Sequence, residues 1–169
     1  VEDNPYGLLG FEGDPIPAIQ TYNPDGVVYL GSFSKTFAPG YRVGWALAPA
    51  AVNARIVLAN ENALLCPTTF GQLSIAEYRR TYDWYQQVKE YRAMYHERGQ
   101  AMQHALENYL PMCEWNKPEG GFYTWVKLPE GLDAQSMLPR AVTNLVAYVS
   151  GTAFYADGQG HDHMRLSFC

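Results

Sequence analysis

Cysteine is scarce in this sequence of 169 residues. Cys66, Cys113 and Cys169 are odd in number, lie far apart and form none of the paired spacings that zinc or redox motifs need. We therefore expect reduced, buried thiols. The histidines give no metal motif either, because His161 and His163 flank a single aspartate in a pattern that indicates a polar turn. We assign no metal site.

Long apolar runs and an excess of positive charge are also missing. No apolar stretch approaches the roughly 18 residues of a membrane-spanning helix, and the start of the chain is unlike a signal peptide. The 12 Lys and Arg residues stand against 17 Asp and Glu, a formal net charge of −5. Nucleic-acid binding through this segment is therefore not expected. The default expectation is a soluble cytoplasmic protein with no membrane partner.

The composition that is present is typical of a folded protein. Hydrophobic residues make up 47% and charged residues 17% of the chain, which excludes a disordered segment. The two ends are unusual, since the first residue is Val1 and the apolar segment 164–169 has no polar tail. We expect this segment to belong to a longer chain.

Strand and helix signals alternate in the first half of the sequence. A turn at residues 23–26 leads into the run 27–31, which is apolar at successive positions, as strands covered on both faces are. Residues 43–48 repeat this pattern more weakly. Helices are predicted over residues 50–60 and 72–80. This alternation predicts an α/β fold with a mostly parallel sheet.

The longest helical pattern runs from Thr81, which we assign as its N-cap, to Pro111, with apolar side chains on one face. One small layer cannot bury a helix of this length, so we expect it to leave one domain and enter a second. Beyond it, strand patterns at residues 122–128, 146–149 and 164–168 and a short helix capped by Asp133 predict a small α+β domain. The predicted domains are residues 1–90 and 91–169.

Lys35 is the first candidate for chemistry. It follows the strand predicted at 27–31, and ligands of open α/β sheets bind at the carboxyl ends of strands. Position alone leaves a solvated lysine as the alternative. A phosphate loop of the Walker type is excluded, because Ser34 stands where that motif requires glycine.

The longer string around this lysine resembles a known motif. Residues 32–45 read SFSKTFAPGYRVGW, which is similar to the lysine motif of class I/II aminotransferases, the pyridoxal 5′-phosphate (PLP) enzymes of fold type I. The resemblance implies that Lys35 forms the Schiff base with PLP and that Ser32 and Arg42 hold its phosphate, with Ser34 as a further contact. These residue types suit the chemistry, because only an amine forms an imine and a phosphate dianion favours a hydroxyl and a bidentate guanidinium.

Asp3 and Tyr6 carry a second part of the resemblance. The family has an aspartate followed three residues later by a tyrosine, upstream of the lysine at a spacing that fits here. Alone, the string DNPY would indicate a turn. The resemblance implies that Asp3 keeps the pyridine nitrogen protonated and that the Tyr6 hydroxyl binds the phenolic oxygen of the ring. Lys35, Asp3 and Tyr6 are thus the implied catalytic residues.

Arg165 belongs to the third part of the resemblance. Residues 164–168 read MRLSF, which resembles the C-terminal strand whose arginine binds the substrate α-carboxylate in this family. Strand alternation places Arg165 and Ser167 on the face opposite Met164, Leu166 and Phe168. In isolation, a surface arginine would be the ordinary interpretation.

The resemblance extends from Asp3 to Phe168 and covers the second half of such an enzyme. It implies a fold type I PLP-dependent transferase: the end of the large PLP-binding domain, a bridging helix and a small domain. It also implies a homodimer that moves an amino group between an amino acid and a 2-oxo acid. The strings NPYGLL and APG at residues 4–9 and 38–40 resemble most the branch of 2-aminoadipate and multi-substrate aminotransferases.

Two other functions remain compatible with the same residues. One is an aminotransferase-like, PLP-binding sensor domain that follows a winged-helix DNA-binding domain in a transcriptional regulator. The other is a PLP lyase of the same fold. A basic helix-turn-helix upstream would favour the regulator, and substrate profiling would separate a lyase from an aminotransferase.

Overall fold

The computed structural model describes residues 1–169. The chain folds into two compact units, Val1–Arg92 and Ala93–Cys169, and the boundary between them falls inside the longest helix. None of the helices has the length and apolar character needed to cross a bilayer.

The first unit contains a three-stranded mixed sheet in the order β1-β2-β3. The strands are β1 (Glu2–Asp3), β2 (Tyr29–Ser32) and β3 (Gly44–Leu47). β1 and β2 are parallel, with Asp3 opposite Leu30, whereas β2 and β3 are antiparallel, with Ser32 opposite Gly44. The strands predicted near residues 27–31 and 43–48 are therefore present, with shifted bounds.

Three helices follow the sheet: α1 (Ala50–Leu64), α2 (Thr69–Thr81) and α3 (Trp84–Tyr109). The expectation that Thr81 caps the long helix is wrong, because Thr81 is the last residue of α2. The extended backbone of Tyr82 separates the two helices. Asp83 then caps α3, since its Oδ1 accepts a hydrogen bond from the Gln86 N–H at 3.1 Å.

The second unit begins within α3 and contains a four-stranded antiparallel sheet, ordered β4-β5-β7-β6. Its strands are β4 (Glu114–Trp115), β5 (Tyr123–Lys127), β6 (Val149–Ser150) and β7 (His163–Ser167). Helix α4 (Ala134–Thr143) begins after Asp133, whose side chain accepts from the Ser136 N–H at 2.9 Å, as the cap prediction requires. The core of this unit is formed by Leu106, Cys113, Val126, Leu128, Ala134 and Met164.

The three cysteines differ in their surroundings. Cys113 is buried in the core of the second unit, and this burial raises the pKa of its thiol. Cys66 and Cys169 are exposed, so the expectation of buried thiols is wrong for these two. Cys66 lies in the turn between α1 and α2, and Cys169 follows the last strand, so neither belongs to an element that packs on a core. All three thiols are free.

Candidate active site

The strand directions bring three candidate segments to one edge of the first sheet. Because β1 and β2 are parallel, both end at this edge, and the Asn4 N–H continues the pairing by donating to the Leu30 carbonyl at 3.1 Å. β3 runs the opposite way and begins there, with Gly44 opposite Ser32. The residues after Asp3, after Ser32 and before Gly44 are therefore neighbours.

Lys35 lies in a closed turn at this edge. The Phe33 N–H donates to the Val43 carbonyl at 3.0 Å, and the Phe33 carbonyl accepts from the N–H groups of Phe37 and Ala38 at 2.9 and 3.1 Å. These bonds fix both ends of the turn. The Lys35 Nζ lies 5.7 Å from the centroid of the Tyr6 ring, so the structure brings these two predicted residues together.

Two serines precede this lysine in the same turn. The Ser32 Oγ accepts a hydrogen bond from the Ser34 N–H at 3.0 Å. This bond uses the oxygen as an acceptor, so the hydroxyl proton of Ser32 remains available to an anion. Both serines are partly buried.

Arg42 has an unusual backbone two residues before β3. It follows the 3-10 turn Pro39–Tyr41 and adopts the left-handed conformation, with φ 54° and ψ 39°. A residue with a Cβ is disfavoured there by roughly 1–2 kcal/mol, and such residues cluster at ligand-binding loops. Its side chain is exposed, and its only hydrogen bond is donated by Nη1 to the Pro39 carbonyl at 3.3 Å. The other guanidinium donors are therefore unused.

Trp84 supports the lysine turn, a role that the sequence analysis missed. Its Nε1–H donates to the Thr36 carbonyl at 3.0 Å, and both residues are buried. The indole also meets the Phe33 ring edge-on, with centroids 5.7 Å apart. The two hydrogen-bonded residues are 48 positions apart, so no local pattern could have predicted the pair.

The residue types gathered at this edge fit the chemical groups of PLP. Lys35 offers a primary amine to a carbonyl carbon, and Asp3 offers a carboxylate to a protonated ring nitrogen. Hydroxyls from Ser32 and Ser34 and the guanidinium of Arg42 match a phosphate dianion.

Arg165 lies on β7 in the second unit. Met164 and Phe168 are buried on one face of this strand, as the alternation predicts. On the other face, the Arg165 Cζ lies 4.0 Å from the Tyr123 ring centroid and 4.7 Å from that of Phe154. The Arg165 Nε is buried and has no hydrogen-bond partner. An unpaired buried donor of this kind is suited to an anionic ligand.

The histidines near the end of the chain pair with carboxylates. His161 Nδ1 lies 3.1 Å from Asp133 Oδ2, and His163 Nδ1 lies 2.7 Å from Asp162 Oδ1. No group of three or more His, Cys, Asp or Glu side chains is arranged to hold a metal ion. These contacts belong to the α4 cap and to the loop before β7.

The sequence and fold match known proteins over nearly the whole chain. The family model of aminotransferase class I and II matches residues 2–169. Aromatic-amino-acid aminotransferase 1 of Thermococcus litoralis is 41% identical over 170 residues, covering 99% of this chain and 41% of the relative. The solved structure of LysN, the alpha-aminoadipate aminotransferase of Thermus thermophilus complexed with N-(5'-phosphopyridoxyl)-L-leucine, is 34% identical with a TM-score of 0.93. That match covers 99% of this chain and 44% of the other.

The chain is also similar to a relative that is named as a transcriptional regulator and not as an aminotransferase. The uncharacterized HTH-type transcriptional regulator YisV of Bacillus subtilis is 30% identical over 170 residues, covering 99% of this chain and 35% of that protein. The chain thus spans less than half the length of these relatives. The likeness to LysN confirms the expected fold type I architecture. The family match over residues 2–169 and the 41% identical relative show that this chain belongs to the class I and II aminotransferase family.

Proposed function

We propose that this chain is the lysine-bearing part of a PLP-dependent aminotransferase, which moves an amino group between an amino acid and a 2-oxo acid. The observation that carries the proposal is the position of Lys35 beside Tyr6, at the sheet edge where β1 and β2 end. The family membership supports the same reaction.

Three side chains do the chemistry in this proposal. PLP, when bound, supplies an electron-accepting ring that stabilises negative charge on the substrate α-carbon. Lys35 would hold the cofactor through its Nζ, and the same amine, when free, would move the proton between the substrate α-carbon and the cofactor. The Asp3 carboxylate would keep a proton on the ring nitrogen, and the Tyr6 hydroxyl would donate a hydrogen bond to the phenolic oxygen.

The remaining candidates bind and orient. Ser32, Ser34 and Arg42 hold the phosphate, which fixes the cofactor relative to Lys35. Arg165, whose Nε has no hydrogen-bond partner, binds the substrate carboxylate through its guanidinium. The relatives are named for aromatic amino acids and alpha-aminoadipate, so these amino acids are the first substrates to test. The resemblance also supports a homodimer that works in the cytoplasm.

Replacement of the lysine tests this function in the natural full-length protein. We expect borohydride reduction to leave the cofactor on the peptide that contains Lys35. Lys35→Ala should lose this adduct and at least about 1000-fold in amino-transfer rate, because no other amine lies in the turn. Lys89→Ala, which removes an exposed lysine of α3, is the matched control and should keep both the adduct and the amino-transfer rate. Mass spectrometry of the peptides and turnover with an amino acid and 2-oxo acid are the measurements. An adduct on another lysine would contradict the assignment.

A sensor domain of a transcriptional regulator is the second candidate function. It is favoured by the relative from Bacillus subtilis, whose match covers 99% of this chain. The two functions differ in what the natural full-length protein does. A regulator would retard promoter DNA in a gel and would not turn over amino acids, whereas an aminotransferase would do the reverse.

A further inference from the structure

The guanidinium of Arg165 packs over two aromatic rings, those of Tyr123 and Phe154, with its Cζ 4.0 and 4.7 Å from their centroids. Its Nε is buried and has no hydrogen-bond partner. The N–H donors of a guanidinium lie in its own plane, so packing of its faces against rings leaves those donors unobstructed. A carboxylate can then approach in that plane and accept two hydrogen bonds.

The register of the sheet explains the position of Tyr123. Trp125 of β5 lies directly opposite Arg165 of β7, and Tyr123 lies opposite Ser167. Side chains of opposed residues share a face, and alternate residues of one strand share it too, so Tyr123 is a diagonal neighbour of Arg165. Thr124, between the two aromatic residues, is fully buried on the other face.

Phe154 is positioned by packing outside the sheet. Its ring meets that of Trp125 edge-on, with centroids 5.3 Å apart. It ends the 3-10 turn Gly151–Phe154, which begins at a buried glycine. A Cβ at position 151 would collide with the Gly160 carbonyl oxygen and come within 2.7 Å of the His163 Cβ. The turn can therefore start there only because Gly151 has no side chain.

We propose that Tyr123 and Phe154 form an aromatic clamp, a pair of positioning residues that orient Arg165 for the carboxylate of an amino acid or 2-oxo acid. The ligand class rests on the proposed function, whereas the geometry rests on contacts within residues 93–169. The clamp restricts the flexible Arg165 side chain before the ligand binds, so less side-chain conformational entropy is lost on binding. It thereby favours ligands with a carboxylate over neutral analogues of the same shape.

The test compares an acid with its amide. In the holoenzyme, calorimetry gives the Kd of 3-phenylpropanoate and of 3-phenylpropanamide, neither of which can react. Tyr123→Leu and Phe154→Leu should each weaken binding of the acid by about 3- to 30-fold and change binding of the amide by less than about twofold. Tyr123→Phe and Phe154→Tyr retain the ring and should bind the acid within about twofold of wild type.

Controls keep the outcomes distinct. Tyr109→Leu, at an exposed position at the end of α3, should change neither Kd. An equal loss for acid and amide would mean that the rings only shape an apolar wall, and no loss for the acid would mean that they do not position Arg165; either result overturns the clamp. A wild-type protein that binds the acid but transfers no amino group would instead contradict the proposed function and leave the clamp standing.

Discussion

Trp84 shows how one residue outside the candidate site can hold that site in place. Its indole N–H donates a hydrogen bond to the buried carbonyl of Thr36, the residue after Lys35. A buried carbonyl without a partner costs about 1–3 kcal/mol, so the bond ties the lysine turn to the start of α3. Phe33 packs on the same indole, so one side chain contacts the turn both before and after Lys35.

Two Trp→Phe replacements should separate the contribution of this hydrogen bond to stability from the effect of a smaller ring. Trp84→Phe removes a paired donor, whereas Trp115→Phe removes a buried Nε1–H that has no partner. We expect Trp84→Phe to lower the free energy of unfolding by about 1–3 kcal/mol more than Trp115→Phe. It should also slow covalent attachment of the cofactor at Lys35. Urea denaturation and the time course of reducible adduct are the measurements, and equal losses in the two variants would show that the bond contributes nothing.

The sequence indicates candidate residues where they are close together in the chain. Ser32, Lys35 and Arg42 belong to one string, and the strand pairing then places Asp3 at the same edge. The supporting contacts are between distant residues: Trp84 with Thr36, and the two rings with Arg165. No spacing rule relates such pairs, because their proximity is a product of the tertiary fold.

At the scale of elements, the start of α4 depends on a charged cap. Asp133 accepts from the Ser136 N–H at 2.9 Å and pairs with His161. The pKa of this carboxyl is lowered first by the Ser136 N–H, and further by the Gln135 N–H and by His161. A lowered folded-state pKa means that the charged cap stabilises the fold above the ordinary aspartate pKa of about 3.9 and loses this effect as pH falls through the folded value.

The difference in unfolding temperature between wild type and Asp133→Asn should therefore become smaller as the pH is lowered. Asparagine is also a good N-cap, so this variant removes the charge and keeps the hydrogen bond, whereas Asp133→Ala removes both. We expect wild type to unfold at higher temperature than Asp133→Asn at pH 7, and the gap to shrink below about pH 4. Thermal unfolding across pH, followed by circular dichroism, measures it. A gap that stays constant with pH would contradict a role for the charge.

Element boundaries were the least predictable part of the fold. The periodic pattern predicts that the long helix begins at Thr81. In the structure α2 ends at Thr81, and α3 begins only after Asp83. The strand predicted at residues 146–149 is instead Val149–Ser150. Tyr148 explains the shift, because its hydroxyl donates to the Ala134 carbonyl at 2.6 Å and holds the preceding segment against α4. A tertiary hydrogen bond of this kind cannot be predicted from the local alternation of apolar and polar residues.

At the scale of the whole molecule, the chain contains two cores joined by one continuous helix. Leu9 is 1% exposed in the first unit, and Leu128 is 6% exposed in the second. The contacts of the chain cluster within Val1–Arg92 and within Ala93–Cys169. Each core should therefore be able to lose stability by itself, since cooperative units often follow such clusters.

A matched pair of core truncations tests this in the natural full-length protein. Leu9→Ala and Leu128→Ala delete the same atoms from buried sites, and each should cost about 2–5 kcal/mol. Native-state hydrogen exchange should show lost protection mainly in residues 1–92 for Leu9→Ala and mainly in residues 93–169 for Leu128→Ala. Because α3 crosses the boundary, its amides near Arg92 should respond to both variants. If either variant lowered protection equally throughout the chain, the two units would be one cooperative body, and a mutation in either core would disturb Lys35 and Arg165 alike.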